Sequence, residues 1–301
     1  MRKFIIVTDT GADLGDEYYI KNDVRKLKLG YNIDGMDYEG EDGEHLDEKS
    51  FYEKLKAGAM PKTSQINPGV AKKHFEELIK EGKDILVISF SSGLSGTYNS
   101  YCIAAEEINN EYDNKVLVID SLCASLGQGL FIDYVVRYSN LGSSIEETKE
   151  YAEDLKLKIR HEFTVEDLFH LKRGGRVSAV SAVVGSLFSI KPILNVNDEG
   201  KLIAIDKVRG RKNSLKNIAE IFRTHNDVND NDPVFISHAD SLDDALLLKE
   251  KILEIKPNVE IYINYIGPVI GSHAGQGTIA LFYKGKDRSC KKINWWYFIS
   301  L

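Results

Sequence analysis

Three short apolar runs, at residues 4–8, 84–90 and 115–120, are dense in Ile and Val and give way to Ser, Thr, Asp or Gly. This pattern predicts buried strands. Between them the apolar spacing changes to that of a helix. Asn67 followed by Pro68 is an N-cap with proline at the first helical position. Ala71, Phe75, Leu78 and Ile79 then repeat on one face, and Gly82 closes the element. A second helix is predicted from near Ser95 and a third over 122–138, with Gly142 beyond it. Ser144 and Glu147 form a capping box, with Ile145, Thr148, Ala152 and Leu155 as the stripe behind it. Strands alternating with helices predict an α/β unit with a mostly parallel sheet flanked by helices.

The pattern resumes in the second half. Residues 160–165 read as a strand and 178–188 as a helix. Segments 192–196 and 202–207 flank Asn197-Asp198-Glu199-Gly200, which reads as a hairpin turn. Helices are predicted over 214–223 and 241–255, the latter with Ala245, Leu248, Ile252 and Ile255 on one face. Strands are predicted at 234–237, 260–264 and 278–283. The expected organisation is an N-terminal α/β domain over 1–157, a second α/β domain over 158–286 and an atypical extension over 287–301 that holds both tryptophans, Trp295 and Trp296. The extension reads either as an appended tail or as an anchor for a partner or membrane surface.

Composition narrows the function classes. The 301 residues include 39 Lys and Arg against 46 Asp and Glu, a net charge of −7. An acidic chain is a poor general binder of nucleic acid, and at most transient membrane contact is expected. No stretch approaches the ~20 apolar residues of a membrane span. The cysteines, Cys102, Cys123 and Cys290, are odd in number and lack CxxC spacing. That argues against a disulfide framework and a thiolate zinc site and fits a reducing compartment, so a cytoplasmic protein is expected.

In an open parallel sheet, ligands bind beyond the carboxyl ends of the strands. The segments after Thr8, Phe90 and Asp120 are rich in small and hydroxyl residues, and Thr63-Ser64-Gln65 precedes a helix start. These hydroxyls either cap the following helices or line a cleft with neutral donors. Ser91-Ser92-Gly93-Leu94-Ser95-Gly96-Thr97 carries four hydroxyls, more than one helix cap needs. There is no Walker loop, and Gly127-x-Gly129 lacks the third glycine of a dinucleotide fingerprint. The histidines show no metal spacing, so no metal or cofactor is expected. Ser95, Asp120 and His273 follow the serine-hydrolase order, which leaves a hydrolase as the alternative reading. Against it, Thr97 replaces the second glycine of the G-x-S-x-G elbow, and Ser95 lies several residues past the strand end. His273 sits among dense glycines, either as a turn histidine or as a donor to an anionic group. Lys172-Arg173-Gly174-Gly175-Arg176 and the later Lys207, Arg209, Arg211 and Lys212 are basic clusters in an acidic chain. They are either solvated surface or a docking patch for an acidic partner or a phosphate.

Taken in order, these landmarks resemble the DegV family. They are Thr8-Asp9-Thr10, Pro61-x-Thr63-Ser64-Gln65, the 91–97 loop, Gly127-Gln128-Gly129, Leu171 to Arg176, Lys191-Pro192 and Gly271-Ser272-His273-x-Gly275-x-Gly277. The resemblance runs from about Phe4 to Lys286. It implies a two-domain DegV-type fold with a long-chain fatty acid held in an apolar tunnel between the domains. Such proteins include the fatty-acid-binding subunits of bacterial fatty acid kinase. The resemblance implies that Thr63, Ser95 and His273 hold the ligand carboxylate. Ser64, Gly96, Thr97, Gly127 and Gly271 are further pocket candidates. Arg173, Arg176 and Arg209 are implied to face the catalytic subunit of the kinase. That partner supplies ATP and metal, so this chain would present the substrate and not itself transfer the phosphoryl group. Candidate tunnel liners are Ala179, Val180, Val183, Val184, Leu187, Phe188 and Ile190, which serve equally well as plain core.

Overall fold

The computed structural model describes residues 2–41, 43–177 and 189–289. The chain opens with β1 (Ile5–Asp9), a 3-10 turn at Thr10–Ala12, α1 (Asp16–Asn22), β2 (Val24–Leu27), β3 (Gly30–Ile33), β4 (Met36–Glu39), α2 (Glu48–Lys56) and β5 (Lys62–Ser64). Next come α3 (Pro68–Ile79), β6 (Ile85–Ser89), α4 (Thr97–Glu111), β7 (Val116–Asp120), α5 (Leu126–Ser139) and α6 (Ile145–Leu155). The remainder holds β8 (Ile159–Thr164), α7 (Leu168–Arg173), β9 (Ile190–Val196), β10 (Leu202–Arg209) and α8 (Arg211–His225). It ends with β11 (Val234–His238), α9 (Leu242–Ile255), β12 (Ile261–Tyr265), α10 (Pro268–Ala274) and β13 (Ile279–Lys284).

The first sheet is parallel, with strand order β2-β1-β6-β7. Its central strands are buried on both faces, which is why they read as unbroken apolar runs. Alternate residues separate the two sides. Ile5, Val7, Ile85 and Val87 pack under α3 and α4, whereas Ile6, Leu86 and Ile88 pack under α5 and α6.

The second sheet has the order β10-β9-β8-β13-β11-β12 and is mixed. Only β11 and β12 run parallel; the other neighbours are antiparallel. One face carries Ile193, Ile236, Ile279 and Leu281 against α8 and α9. The other face carries Phe163, Phe235, Ala280 and Phe282 into the same apolar cluster as Ile6 and Leu86.

Helix α5 lies between the two sheets, and nearly all of its positions are buried. Two glycines permit this approach. A Cβ on Gly127 would meet His161 Nε2 at 2.2 Å, and one on Gly129 would meet the Ala12 carbonyl at 2.9 Å. The Gly127-x-Gly129 pair is therefore a packing device.

The cap signals correspond to observed caps. Asn67 accepts from the Val70 amide, and Ser144 with Glu147 forms the reciprocal capping box. Residues 197–200 turn β9 into β10, with Asn197 Oδ1 accepting from the amides of Glu199 and Lys201. Two predicted helix starts move. The helix expected from Ser95 begins at Thr97, and the one expected from Leu122 begins at Leu126. Leu122 and Ser125 take positive φ angles of 52° and 53°, which no α-helix accommodates. The predicted helix over 178–188 lies outside the described residues.

The third sheet, with order β4-β3-β5, was not expected from the sequence. Its strands are short and antiparallel, and two of them, Met-Asp-Tyr-Glu and Lys-Thr-Ser, have no apolar run. Tyr31, Tyr38, Phe51 and Tyr52 form its core and pack against Val269 and Ile270 of α10. Residues 287–289 also dock on the fold. The buried Arg288 donates to the carbonyls of Leu122, Lys156, Ile159 and Asn197, and so ties the β7–α5 loop to the second sheet.

Candidate functional site

The loops after β1, β6 and β7 converge at the carboxyl edge of the parallel sheet, and most of their polar groups hold the loops themselves. Ser91 Oγ donates to the Gly200 carbonyl at 2.9 Å, and Ser121 Oγ donates to the Ser89 carbonyl at 2.7 Å. Asp9 accepts from the amides of Gly11 and Phe90, and burial pushes its carboxyl up to about 6. Asp13 accepts from Ser125 Oγ at 2.6 Å, and burial pushes it up to about 8.

Ser95 belongs to a different set. Together with Thr63, Ser64, Gln65, Gly96, Arg176 and His273 it lines the polar part of a cavity of about 490 Å³. That volume falls within the range of small-molecule sites, about 300–1,000 Å³. Each element contributes by its position. β5 pairs with β3 and carries Thr63, the β6–α4 loop brings Ser95, and α10 brings His273. Tyr52 fixes α10 by donating to the Ile266 carbonyl at 2.7 Å. Thr63 Oγ1 then lies 2.8 Å from His273 Nε2, and Ser95 Oγ lies 3.0 Å from Thr97 Oγ1.

His273 is half-buried, and burial, followed by the nearby charge of Arg176, pushes its pKa down to about 4. The imidazole is therefore neutral at pH 7. It offers one donor and one acceptor, and no charge.

The rest of the lining is largely apolar. Phe163, Val196 and Phe282 come from the mixed sheet, Phe90 and Leu94 from the β6–α4 loop, Leu171 from α7, and Val269 and Ile270 from α10. Ala124, Ser125 and His161 also line it. His161 is fully buried and neutral, because burial holds its pKa well below the usual value. Its Nδ1 donates to the Ile159 carbonyl and its Nε2 accepts from the Ala124 amide, so neither nitrogen is left unpaired. Its ring meets Phe282 edge-on at 5.3 Å.

The structure thus brings Thr63, Ser64, Ser95, Gly96 and His273 to one cavity. The other pocket candidates stand behind the wall. Thr97 is buried beneath Ser95, and Gly127 packs against His161. Gly271 lets α10 approach Tyr52, whose hydroxyl a Cβ there would meet at 2.6 Å. Of the three arginines, Arg176 lines the cavity, whereas Arg173 and Arg209 are exposed at the ends of α7 and β10. Ile190 opens β9 and is half-buried; Ala179, Val180, Val183, Val184, Leu187 and Phe188 lie outside the described residues.

Ser95, Asp120 and His273 do not form a relay. His273 Nε2 is bonded to Thr63, and Asp120 Oδ1 accepts from the amides of Ser92 and Leu122. Sequence reasoning missed Phe90, His161, Phe163, Leu171 and Phe282 as cavity residues. The available signal was the period of two along β8 and β13, which sends His161, Phe163, Ala280 and Phe282 to one face. Among the described residues, no group of three or more His, Cys, Asp or Glu could hold a metal, and no helix is long and apolar enough to cross a membrane.

A family model described as "Uncharacterised protein, DegV family" matches residues 3–286. The chain belongs to the DegV family. A DegV domain-containing protein of Clostridium perfringens is 46% identical over 290 residues, covering 96% of this chain and 99% of that protein. Among solved structures, DegV of Bacillus subtilis, described as a fatty acid binding protein, is similar with a TM-score of 0.80. It is 32% identical, with 95% of this chain and 100% of that chain covered. A stearic acid-binding protein from Eubacterium ventriosum gives a TM-score of 0.84 at 25% identity, covering 93% of this chain and 98% of that one. In this chain the cavity lies between the loops at the carboxyl edge of the parallel sheet and one face of the mixed sheet.

Proposed function

We propose that this DegV protein binds a long-chain fatty acid and presents its carboxylate to the catalytic subunit of a fatty acid kinase, which forms the acyl-phosphate. The observation that carries the reading is one cavity with extended apolar walls and Thr63, Ser95 and His273 gathered in its polar part. Relatives of the same fold that are described as fatty-acid-binding support it.

The chemistry of a fatty acid suits this division. About 14 methylenes at ~0.8 kcal/mol each give an upper bound of about 11 kcal/mol from apolar transfer. The acyl chain supplies affinity, and the polar groups supply orientation. A carboxylate buried without partners would cost more than a hydrogen bond returns. The Thr63–His273 bond uses one of that pair's two protons, so the pair supplies one donor and the Ser95 hydroxyl a second. In this reading the chain itself is not the enzyme. The partner supplies ATP and metal, and Arg173 and Arg209, both exposed, form the docking surface for it. The site of action is the cytoplasm.

The direct test is to denature the purified protein, extract it with organic solvent and identify bound lipid by mass spectrometry. A stoichiometric fatty acid is the expected result. An empty extract, repeated after incubation with mixed fatty acids, would remove the reading.

A further inference from the structure

We propose that residues 287–289 are a strap behind the cavity wall that carries Ala124, Ser125 and His161. Arg288 is its positioning residue, and through that wall it sets which acyl chain lengths the cavity accepts. The inference rests on the fatty-acid reading and adds to it a residue that touches no ligand.

Arg288 is buried between two exposed neighbours, Asp287 and Ser289. A guanidinium carries five N–H donors, and here each one meets an acceptor. Nε donates to the Ile159 carbonyl at 2.8 Å. Nη1 donates to the carbonyls of Leu122 at 2.8 Å and Asn197 at 3.3 Å. Nη2 donates to the Lys156 carbonyl at 2.6 Å and to Cys123 Sγ at 3.0 Å. A rigid planar fork is what these five directions require. The strap is fixed from its other side as well. The buried Arg160 donates through Nη1 to the carbonyls of Asp287 at 2.9 Å and Ser289 at 3.1 Å, the two residues that flank Arg288.

The segments that Arg288 joins lead straight into the wall. Leu122 and Cys123 precede Ala124 and Ser125, Ile159 opens the strand that carries His161 and Phe163, and Asn197 follows Val196. Ala124, Ser125, His161, Phe163 and Val196 all line the cavity. Leu122 and Ser125 have φ angles of 52° and 53°, a conformation that such residues keep only where their surroundings impose it. Arg288 holds the carbonyl of the first of them. The Ala124 amide then reaches His161 Nε2 at 3.3 Å, and this long bond joins the loop to β8. Without the guanidinium, the loop relaxes and the wall at Ala124 and His161 shifts with it. The room for the acyl chain changes. Thr63, Ser95 and His273 stay in place, because none of the elements that carry them accepts a bond from Arg288.

The test measures palmitate, stearate and arachidate binding to delipidated wild type, Arg288→Lys and Ile252→Val by calorimetry. Ile252 lies in the apolar cluster on the far face of the mixed sheet, so its variant controls for a general loss of stability. Arg288→Lys keeps a cation but cannot span five acceptors. It is expected to shift the affinity ratio between the best and second-best chain by about fourfold or more, the weight of one buried methylene. Ile252→Val is expected to keep that ratio within about twofold. An unchanged ratio in Arg288→Lys would overturn the assignment, and so would an equal shift in Ile252→Val. A second measurement uses wild type alone and decides the matter if Arg288→Lys does not fold. Linkage requires that a chain filling the wall also steadies the strap. Amide exchange at 122–125 and at 287–289 should therefore slow together when the preferred acid binds. Slowing confined to 122–125, or at neither segment, would overturn the proposal. Wild type that binds none of the three acids would overturn the fatty-acid reading itself.

Discussion

Thr63 and His273 are 210 positions apart in the chain, yet Thr63 Oγ1 and His273 Nε2 lie 2.8 Å apart. The bond joins the small antiparallel sheet to α10 and completes the polar part of the cavity. Neither residue has a local reason to be there. β5 is held by β3, and α10 is held by Tyr52 and by the aromatic core of the small sheet.

If Thr63, Ser95 and His273 share the carboxylate, Ser95→Ala combined with His273→Ala removes two partners of a charged group. Each such bond contributes about 1.5–3 kcal/mol, so oleate affinity should fall at least about tenfold. Both residues are only half-buried, and the fold should survive the change. Calorimetry with oleate and the lipid content of the purified variant check this. Unchanged affinity would exclude these side chains from the site.

Arg173→Ala should spare lipid binding and impair acyl-phosphate formation with the partner kinase, because the side chain is exposed and does not line the cavity. Arg209→Ala should act in the same direction. Kinase turnover that is the same with wild type and both variants would show that docking uses another surface.

A fluorophosphonate probe should leave Ser95 unlabelled on the folded protein. The imidazole that would activate it is bonded to Thr63, and the Asp120 carboxylate is engaged by backbone amides. Stoichiometric labelling of Ser95 would restore the hydrolase alternative.

Asp13 and Asp9 should each contribute stability that is lost as the pH rises from about 4 to about 8, opposite in sign to the contribution of the buried neutral histidines. Burial raises Asp13 to about 8 and Asp9 to about 6, above the ~3.9 of an unfolded aspartate. A carboxyl with a raised folded-state pKa favours the protonated native form. Its contribution is complete below the unfolded pKa and is lost as pH rises through the folded one. Asp13→Asn retains an acceptor for Ser125 and removes the titration, so relative to wild type its melting temperature should fall less or rise more with pH over this window. Parallel melting curves for wild type and variant would show that Asp13 does not titrate there.

Gly127→Ala should destabilise the protein by about 1–3 kcal/mol, the usual cost of overpacking a tight core. The added methyl would sit 2.2 Å from His161 Nε2 at the start of α5. Urea unfolding measures the loss, and an unchanged midpoint would mean that α5 moves away at no cost.

Local features were legible in the chain. The runs at β1, β6 and β7 are apolar because both faces of a parallel sheet are covered, and that burial shows without knowledge of what covers it. The caps at Asn67 and Ser144 and the turn at Asn197 are satisfied by side chains within a few residues, so the signal and its cause lie together. The hydroxyl-rich loops were legible as a set, but not which hydroxyl faces the cavity. Ser91 and Ser121 turn to backbone carbonyls, and Ser95 lines the space.

Long-range pairing decided the rest. β13 enters the second sheet between β8 and β11, and this placement sets His161 beside Phe282 and turns Phe163 toward the parallel sheet. The short polar strands of the third sheet gain their stability from the aromatic core they share with α10, so their own sequence carries almost no strand signal. Sequence fixes what depends on neighbours in the chain. The cavity depends on which faces of distant elements meet, and only the packed structure determines that.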